Sequence, residues 1–145
     1  MKGVDGKKHV YLLGGKESFY IDKAREKIFS KLKISRQDVF RIDYKDKMPL
    51  AEILNALDSS SLFAKKNITV VRNATFLFEK DKAAALEKTL RNMLPSSYAI
   101  FISETYDKRT KIYKVIEEVG AVLEAEPLKS WQVGEWLDEK LKLVE

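Results

Sequence analysis

The sequence contains no cysteine and a single histidine, His9, among its 145 residues. Without cysteine the chain forms no disulfide, offers no thiolate nucleophile and holds no cysteine-ligated metal, which fits a cytoplasmic protein. One histidine also removes most zinc sites and the Ser-His-Asp arrangement of hydrolases. These absences exclude cysteine-dependent enzymes and most zinc enzymes and Ser-His-Asp hydrolases, and the sequence predicts no metal site.

Long apolar runs are missing as well. No stretch approaches the roughly 18 apolar residues that a membrane-spanning helix needs, and the polar amino terminus lacks the apolar region of a signal peptide. We therefore expect neither membrane insertion nor export. The 45% hydrophobic and 34% charged residues are typical of a globular chain, and the length corresponds to one domain or one domain with part of a neighbour.

Basic residues are in modest excess over acidic ones. Lys and Arg number 27 and Asp and Glu number 22, which gives a formal net charge of +5 and a pI near 9.2. This balance tolerates an anionic partner such as nucleic acid. Because acidic residues are interspersed among the basic ones, a solvated surface is the simpler explanation, and a nucleic-acid footprint stays open. The candidate DNA or anion contacts are Lys65, Lys66, Lys108 and Arg109.

Strand and helix patterns alternate along most of the chain. Short apolar or β-branched runs predict five strands, at residues 9–13, 39–42, 67–71, 98–102 and 121–123, of which the first, third and fourth are expected to be buried. Apolar residues at helical spacing predict four helices, at residues 19–32, 50–57, 81–93 and 109–119. Ser18 is placed to cap the first helix and Gly120 to end the last. Because parallel strands need crossover connections, the pattern predicts an α/β fold with a five-stranded, mainly parallel sheet and helices on both faces.

Pro127 interrupts this alternation, and residues 131–143 restart as an amphipathic helix pattern. We predict an α/β domain over residues 1–128 and the start of a helical second domain over residues 129–145. From the pattern alone, the final helix either packs back on the sheet or opens a further domain whose remainder is absent from this chain.

The glycine turn after the first strand lies where a phosphate-binding loop would lie. Such a loop reads GxxxxGK followed by Ser or Thr, because backbone amides, a lysine and a hydroxyl hold the phosphates and magnesium. The turn residues here are Gly14, Gly15, Lys16 and Ser18. Val10 replaces the leading glycine, and Glu17 replaces the magnesium-binding hydroxyl. We predict a degraded phosphate loop without nucleotide hydrolysis, and weak nucleotide or anion binding stays an alternative.

The segment formed by Ser61, Leu62, Phe63 and Ala64 places two large apolar side chains between a serine run and a lysine pair. A loop gains nothing from exposing such side chains, so we expect them to be buried. They either fold under and seal the edge of the sheet, or form a plug for an apolar pocket of a partner. Full burial of both would contribute roughly 3 to 6 kcal/mol before association costs.

Several landmarks follow one another in a fixed order. They are HVYLLGG at 9–15, SLF at 61–63, ITVVRNA at 68–74, DKR at 107–109 with Tyr113, GAV at 120–122, and PL at 127–128 with Trp131. Together they resemble the bacterial DNA polymerase III delta subunit, the subunit of the clamp loader that acts as a wrench on the sliding clamp. The likeness covers essentially the whole chain, which makes it more specific than any one motif.

This resemblance implies an AAA+-like topology with a degraded P-loop and no ATP site of its own. It implies that Leu62 and Phe63, flanked by Ser61 and Ala64, insert into an apolar pocket of the ring-shaped clamp. It also implies that other loader subunits hydrolyse ATP and join mainly through domains absent here, and that DNA is contacted through the assembled loader. No cofactor is expected. A nucleotide-binding protein with an unusual phosphate turn and a basic nucleic-acid-binding module remain the alternative functions.

Overall fold

The structure is a computed structural model that describes residues 8–45, 47–60 and 66–125. Ser61 to Ala64, Lys65 and the predicted second domain over residues 129–145 lie outside the described residues.

Strands and helices alternate through the described part of the chain. The strands are β1 (Val10–Gly14), β2 (Val39–Asp43), β3 (Asn67–Arg72), β4 (Ser97–Ser103) and β5 (Gly120–Glu124). The helices are α1 (Ser18–Leu32), α2 (Leu50–Ser60), α3 (Ala83–Arg91) and α4 (Lys111–Val119). The order across the sheet is β2-β3-β4-β1-β5, and all four pairings are parallel.

The helices divide unequally between the two faces of the sheet. One face carries α1, and the other carries α2, α3 and α4. In β1, Tyr11 and Leu13 belong to the core under α1, whereas Val10 and Leu12 belong to the core under the other three helices. Central strands covered on both sides become continuous apolar runs, which explains the sequence pattern. The predicted five-stranded parallel α/β fold with helices on both faces is confirmed.

The entry into α1 differs from the prediction. Ser18 is the first residue of the helix, and the capping position belongs to Glu17, whose side chain makes no capping hydrogen bond. The prediction that Ser18 caps this helix is therefore wrong, because the helix begins one residue before the apolar periodicity that marked it. An uncapped first turn leaves backbone N–H groups to solvent.

The region between β3 and α3 also differs from the prediction. Two short 3-10 turns, Thr75–Phe78 and Lys80–Lys82, precede α3, so the helix begins at Ala83 instead of residue 81. Phe76 and Leu77 of the first turn are fully buried and join the core under α2, α3 and α4. Their side chains therefore anchor this turn in the core.

Gly120 ends α4 as predicted, but for a different physical reason. Its backbone is extended, with φ of −158°, and is not the left-handed cap that favours glycine. A Cβ atom at this position would lie 1.6 Å from the carbonyl oxygen of Val10 in β1. Glycine is therefore required by the close approach of β5 to its neighbouring strand β1.

Two buried hydroxyls in the sheet lack a hydrogen-bond partner within the described residues: Thr69 Oγ1 and Ser97 Oγ. Both residues are 0% exposed. An unpaired buried hydroxyl costs about 1 to 3 kcal/mol, so Thr69→Val, which preserves the side-chain shape, is expected to raise the free energy of unfolding by about 1 kcal/mol. Urea denaturation measures this change, with the exposed Thr75→Val as the matched control. A Thr69→Val variant no more stable than the wild type would contradict the expectation.

Candidate functional site

The turn between β1 and α1 lies at the carboxyl edge of the sheet, where parallel α/β proteins bind ligands. Gly15 has φ of +125°, a conformation that glycine adopts readily and other residues rarely adopt. Its N–H donates a hydrogen bond of 3.0 Å to Ser103 O, and Gly14 O accepts one of 2.6 Å from Ala125 N. These bonds tie the end of β1 to the ends of β4 and β5.

The space beside both glycines is already occupied by the protein. A Cβ on Gly14 would lie 2.6 Å from Cδ1 of Tyr106, and a Cβ on Gly15 would lie 2.8 Å from Ala125 O. A phosphate cradle needs backbone N–H groups that face an open cavity. Here the N–H of Gly15 is used by Ser103, so the packing of neighbouring elements accounts for both glycines.

A small cavity of about 130 Å³ lies beside this turn. Its charged lining includes Lys16, Arg25, Arg72 and Glu104. Arg25 Nη2 lies 3.1 Å from the carboxylate of Asp22, so part of the positive charge is neutralised. Small-molecule sites usually have about 300 to 1,000 Å³, and this cavity is too small to enclose a nucleotide.

Two tyrosines lie beside the start of α4, Tyr106 in the preceding loop and Tyr113 in the helix itself. The rings of Tyr106 and Tyr113 stack with their centroids 6.3 Å apart, and Tyr113 is only 5% exposed. The Tyr113 hydroxyl donates a 2.8 Å hydrogen bond to Glu124 Oε2. Burial, together with this carboxylate, raises the pKa of Tyr113 well above its ordinary value. A nucleic-acid base cannot stack on the buried ring of Tyr113, and only the ring of Tyr106 is partly exposed, so the two rings do not form a shared stacking platform.

The described basic candidates lie at opposite edges of the sheet. Lys66 precedes β3 at the amino edge, whereas Lys108 and Arg109 follow β4 at the carboxyl edge. The structure therefore does not bring them together into one phosphate-binding surface.

Each of these three cations also has a partner within the protein. Lys108 Nζ lies 2.9 Å from Glu124 Oε2. Arg109 binds the Asp107 carboxylate through two hydrogen bonds, of 3.0 Å from Nε and 3.1 Å from Nη2. Lys66 Nζ donates a 3.1 Å hydrogen bond to Leu32 O.

The Arg109 guanidinium and backbone N–H hold the pKa of Asp107 below its ordinary value. A carboxyl with a lowered folded pKa stabilises the fold above its unfolded pKa, about 3.9, and this contribution is lost as pH falls through the folded pKa. We expect the Asp107 carboxyl carbon to titrate below about pH 3.9 by NMR. Arg109→Gln is expected to raise the midpoint, because only the backbone N–H bond of residue 109 then remains, whereas Lys108→Gln leaves the midpoint unchanged. Equal midpoints in the wild type and Arg109→Gln would contradict the pairing.

A larger cavity of about 450 Å³ lies between the turns that precede α3 and the start of α4. Lys80, Arg109 and Lys111 contribute its positive charge. Arg109 is bound to Asp107, and Lys111 Nζ lies 3.3 Å from Glu87 Oε1, so most of this charge is already neutralised. The cavity offers no cluster of uncompensated cations for an anion.

Among the described residues, no three side chains of His, Asp or Glu come together in a way that would hold a metal ion. None of the described helices combines the length and apolarity that crossing a bilayer requires.

The candidate plug segment is attached at both ends to well-packed elements. It follows α2, in which Ile53 and Leu57 are at most 1% exposed. After the segment, Asn67 begins β3, is 1% exposed, and donates its backbone N–H to Ser96 O at 3.0 Å. The attachment points therefore lie at the amino edge of the sheet, opposite the glycine turn.

Comparison with known proteins gives two findings. The sequence model of the family described as DNA polymerase III, delta subunit matches residues 11–126. The fold is similar to that of the Bacillus subtilis DNA clamp loader delta protein (YqeN), with a TM-score of 0.65 and 20% sequence identity. That likeness covers 88% of this chain and 41% of the other, so this chain spans about two fifths of the solved protein's length. No curated protein matches the sequence.

Proposed function

Because the chain belongs to the DNA polymerase III delta subunit family, we propose that it binds the sliding clamp through Leu62 and Phe63 and helps to open the ring during DNA replication. The family match, which spans the segment with these residues, is the observation that carries the proposal. The fold shared with a clamp loader delta protein supports a role in clamp loading. The remaining proposed partners are the other loader subunits, with DNA contacted through the loader in the cytoplasm.

The proposed mechanism is differential binding to two conformations of the clamp. Leu62 and Phe63 enter an apolar pocket, and tighter binding to a distorted ring shifts the population of the ring toward its open state. Burial of both side chains supplies roughly 3 to 6 kcal/mol, and only the difference in binding between closed and open rings drives opening. No covalent bond is made or broken by this chain.

We also propose that this chain does not hydrolyse ATP. The arrangement around Gly14 and Gly15 supports this, because Tyr106 and Ala125 occupy the space beside both glycines and the Gly15 N–H is hydrogen-bonded within the protein. Ser18 lies at the start of α1 next to Glu17, whose negative charge would oppose a nucleotide phosphate. Nucleotide-driven changes in the loader then belong to other subunits.

Calorimetric titration of the purified sliding clamp with the chain tests the proposed interaction. We expect saturable binding whose affinity changes little between 50 and 200 mM salt, because the proposed contact is apolar. No binding by calorimetry and by a second equilibrium method would overturn the proposal. A strong loss of affinity with salt would indicate an electrostatic contact instead.

A thermal-shift experiment with magnesium-ATP tests the alternative of nucleotide binding. Millimolar ligand stabilises a protein that binds it with micromolar affinity by about 4 kcal/mol, since the ligand is then 1,000 times its dissociation constant. We expect no shift in the melting temperature. A reproducible rise with magnesium-ATP, absent with magnesium sulfate, would favour the nucleotide-binding alternative.

A further inference from the structure

We propose that Lys66 is a positioning residue for the clamp-binding segment and not a phosphate contact. The inference rests on the proposed function, because it concerns how the Leu62 and Phe63 side chains are presented to the clamp. Its structural basis is a hydrogen bond from Lys66, the residue before β3, to the end of α1. This helix lies on the face of the sheet opposite to α2.

Lys66 binds the carboxyl terminus of α1. Lys66 Nζ donates a 3.1 Å hydrogen bond to the carbonyl oxygen of Leu32, the last residue of that helix. Lys33 follows in a left-handed conformation, φ of 56° and ψ of 46°, and donates its N–H to Phe29 O at 2.9 Å. The last carbonyls of a helix lack partners within the helix and carry partial negative charge, so a lysine there is favourable.

The same contact joins the two faces of the sheet. The segment is preceded by α2, which packs on one face through Ile53 and Leu57. Two residues after the segment, the Lys66 side chain reaches α1 on the other face, where Leu32 is 1% exposed. The end of α2 is therefore held by apolar packing on one face of the sheet, and the residue before β3 is held by its hydrogen bond to α1 on the other. Fixing both attachment points lowers the entropy lost when the segment binds a partner.

The contact also gives a role to Lys66, which the sequence left either as a solvated surface charge or as a contact to DNA or another anion. Lys66 is only partly exposed, and its ammonium group faces a helix carbonyl. Binding a phosphate would require this hydrogen bond to be exchanged. Lys66 also lies at the amino edge of the sheet, whereas Lys108 and Arg109 lie at the carboxyl edge.

The experiment compares three variants of the full chain. Lys66→Met keeps most of the aliphatic stem and removes the charge, Lys66→Arg restores a cationic donor, and Lys114→Met removes an exposed lysine from α4 as the matched control. Hydrogen exchange of the Lys33 and Asn67 amides reports the local contact, and calorimetry reports the dissociation constant for the purified clamp. All titrations are made at a temperature at which unfolding curves show each variant to be fully folded.

A helix-end interaction of this kind is worth about 0.3 to 1 kcal/mol, which corresponds to about a two- to fivefold change. We expect Lys66→Met to speed exchange at Lys33 and Asn67 and to weaken clamp binding by about two- to fivefold. We expect Lys66→Arg to recover most of both losses, and Lys114→Met to match the wild type.

The outcomes separate this inference from the proposed function. Faster exchange with unchanged clamp affinity would show that Lys66 only caps α1, and unchanged exchange would show that the contact contributes nothing; either result overturns the positioning role. A wild-type chain that fails to bind the clamp overturns the proposed function and the positioning role together. Clamp affinity of the wild type that falls strongly with salt, together with loss of this salt dependence in Lys66→Met, would overturn the inference. It would indicate that Lys66 contacts a phosphate or carboxylate directly.

Discussion

Substitution of Gly120 by alanine is expected to destabilise the fold by about 3 kcal/mol or more, lowering the melting temperature by roughly 10 °C. The added Cβ would lie 1.6 Å from Val10 O and 2.6 Å from Val10 C, both backbone atoms of the neighbouring strand β1. Neither atom can rotate away as a side chain would. The overlap is relieved only if β5 moves from β1, which breaks the parallel pairing from Gly120 to Glu124.

Gly14→Ala is the matched comparison for this prediction. Its Cβ would approach the ring of Tyr106 at 2.6 Å, and a partly exposed side chain can shift at smaller cost than a strand backbone. We therefore expect Gly14→Ala to be less destabilising than Gly120→Ala in thermal and urea unfolding. A Gly120→Ala variant within 1 kcal/mol of the wild type would show that β5 yields more easily than its pairing suggests.

Replacing Leu62 and Phe63 together by alanine is expected to weaken clamp binding by at least about a hundredfold. The two side chains contribute roughly 3 to 6 kcal/mol when fully buried, and each 1.4 kcal/mol corresponds to a factor of ten in affinity. Anchors of this type usually supply most of the energy of an interface. Calorimetry with the purified clamp measures the loss, and unfolding curves show whether the variant remains folded.

Phe19→Ala is the matched control for the plug variant. Phe19 is 56% exposed in the first turn of α1, at the carboxyl edge of the sheet and therefore opposite the attachment points of the plug segment. It removes an exposed aromatic ring of the same kind, and clamp affinity is expected to change less than twofold. Equal losses for both variants would indicate a general dependence on surface apolarity. Unchanged affinity in the Leu62 and Phe63 double variant would remove the proposed contact.

Most of the fold follows from local patterns in the sequence. All five strands and all four helices of the described residues were predicted at nearly their observed positions, because buried faces of strands and helices leave apolar residues at the spacing of each element. The short 3-10 turn Thr75–Phe78 was not predicted, since Phe76 and Leu77 follow neither period and are buried through contacts with distant elements. Ser18 was misplaced because a serine near a helix start indicates a cap without fixing the residue at which the helix begins.

The candidate site was only partly predictable. Gly14, Gly15, Lys16 and Ser18 mark the turn in the sequence, but the residues that fill the space beside it, Tyr106 and Ala125, are about 90 and 110 positions away along the chain. The only local signal for Tyr106 was its place just after the fourth strand. The location of the basic candidates was not predictable either. Lys66, Lys108 and Arg109 each stand beside another basic residue in the sequence, and only the topology of the sheet places them at different edges.

The sequence by itself determined the order of strands and helices and the absence of disulfides and cysteine chemistry. It also showed that the Gly14 to Ser18 turn departs from the phosphate-loop motif. These properties depend on residue type and on short-range periodicity. Only the tertiary structure decided that Gly120 must be glycine because β5 passes so close to Val10, that the Gly15 N–H is hydrogen-bonded to Ser103, and that Lys66 binds the end of α1. Those properties arise between residues brought together by the parallel sheet, and no spacing along the chain encodes the distances between their atoms.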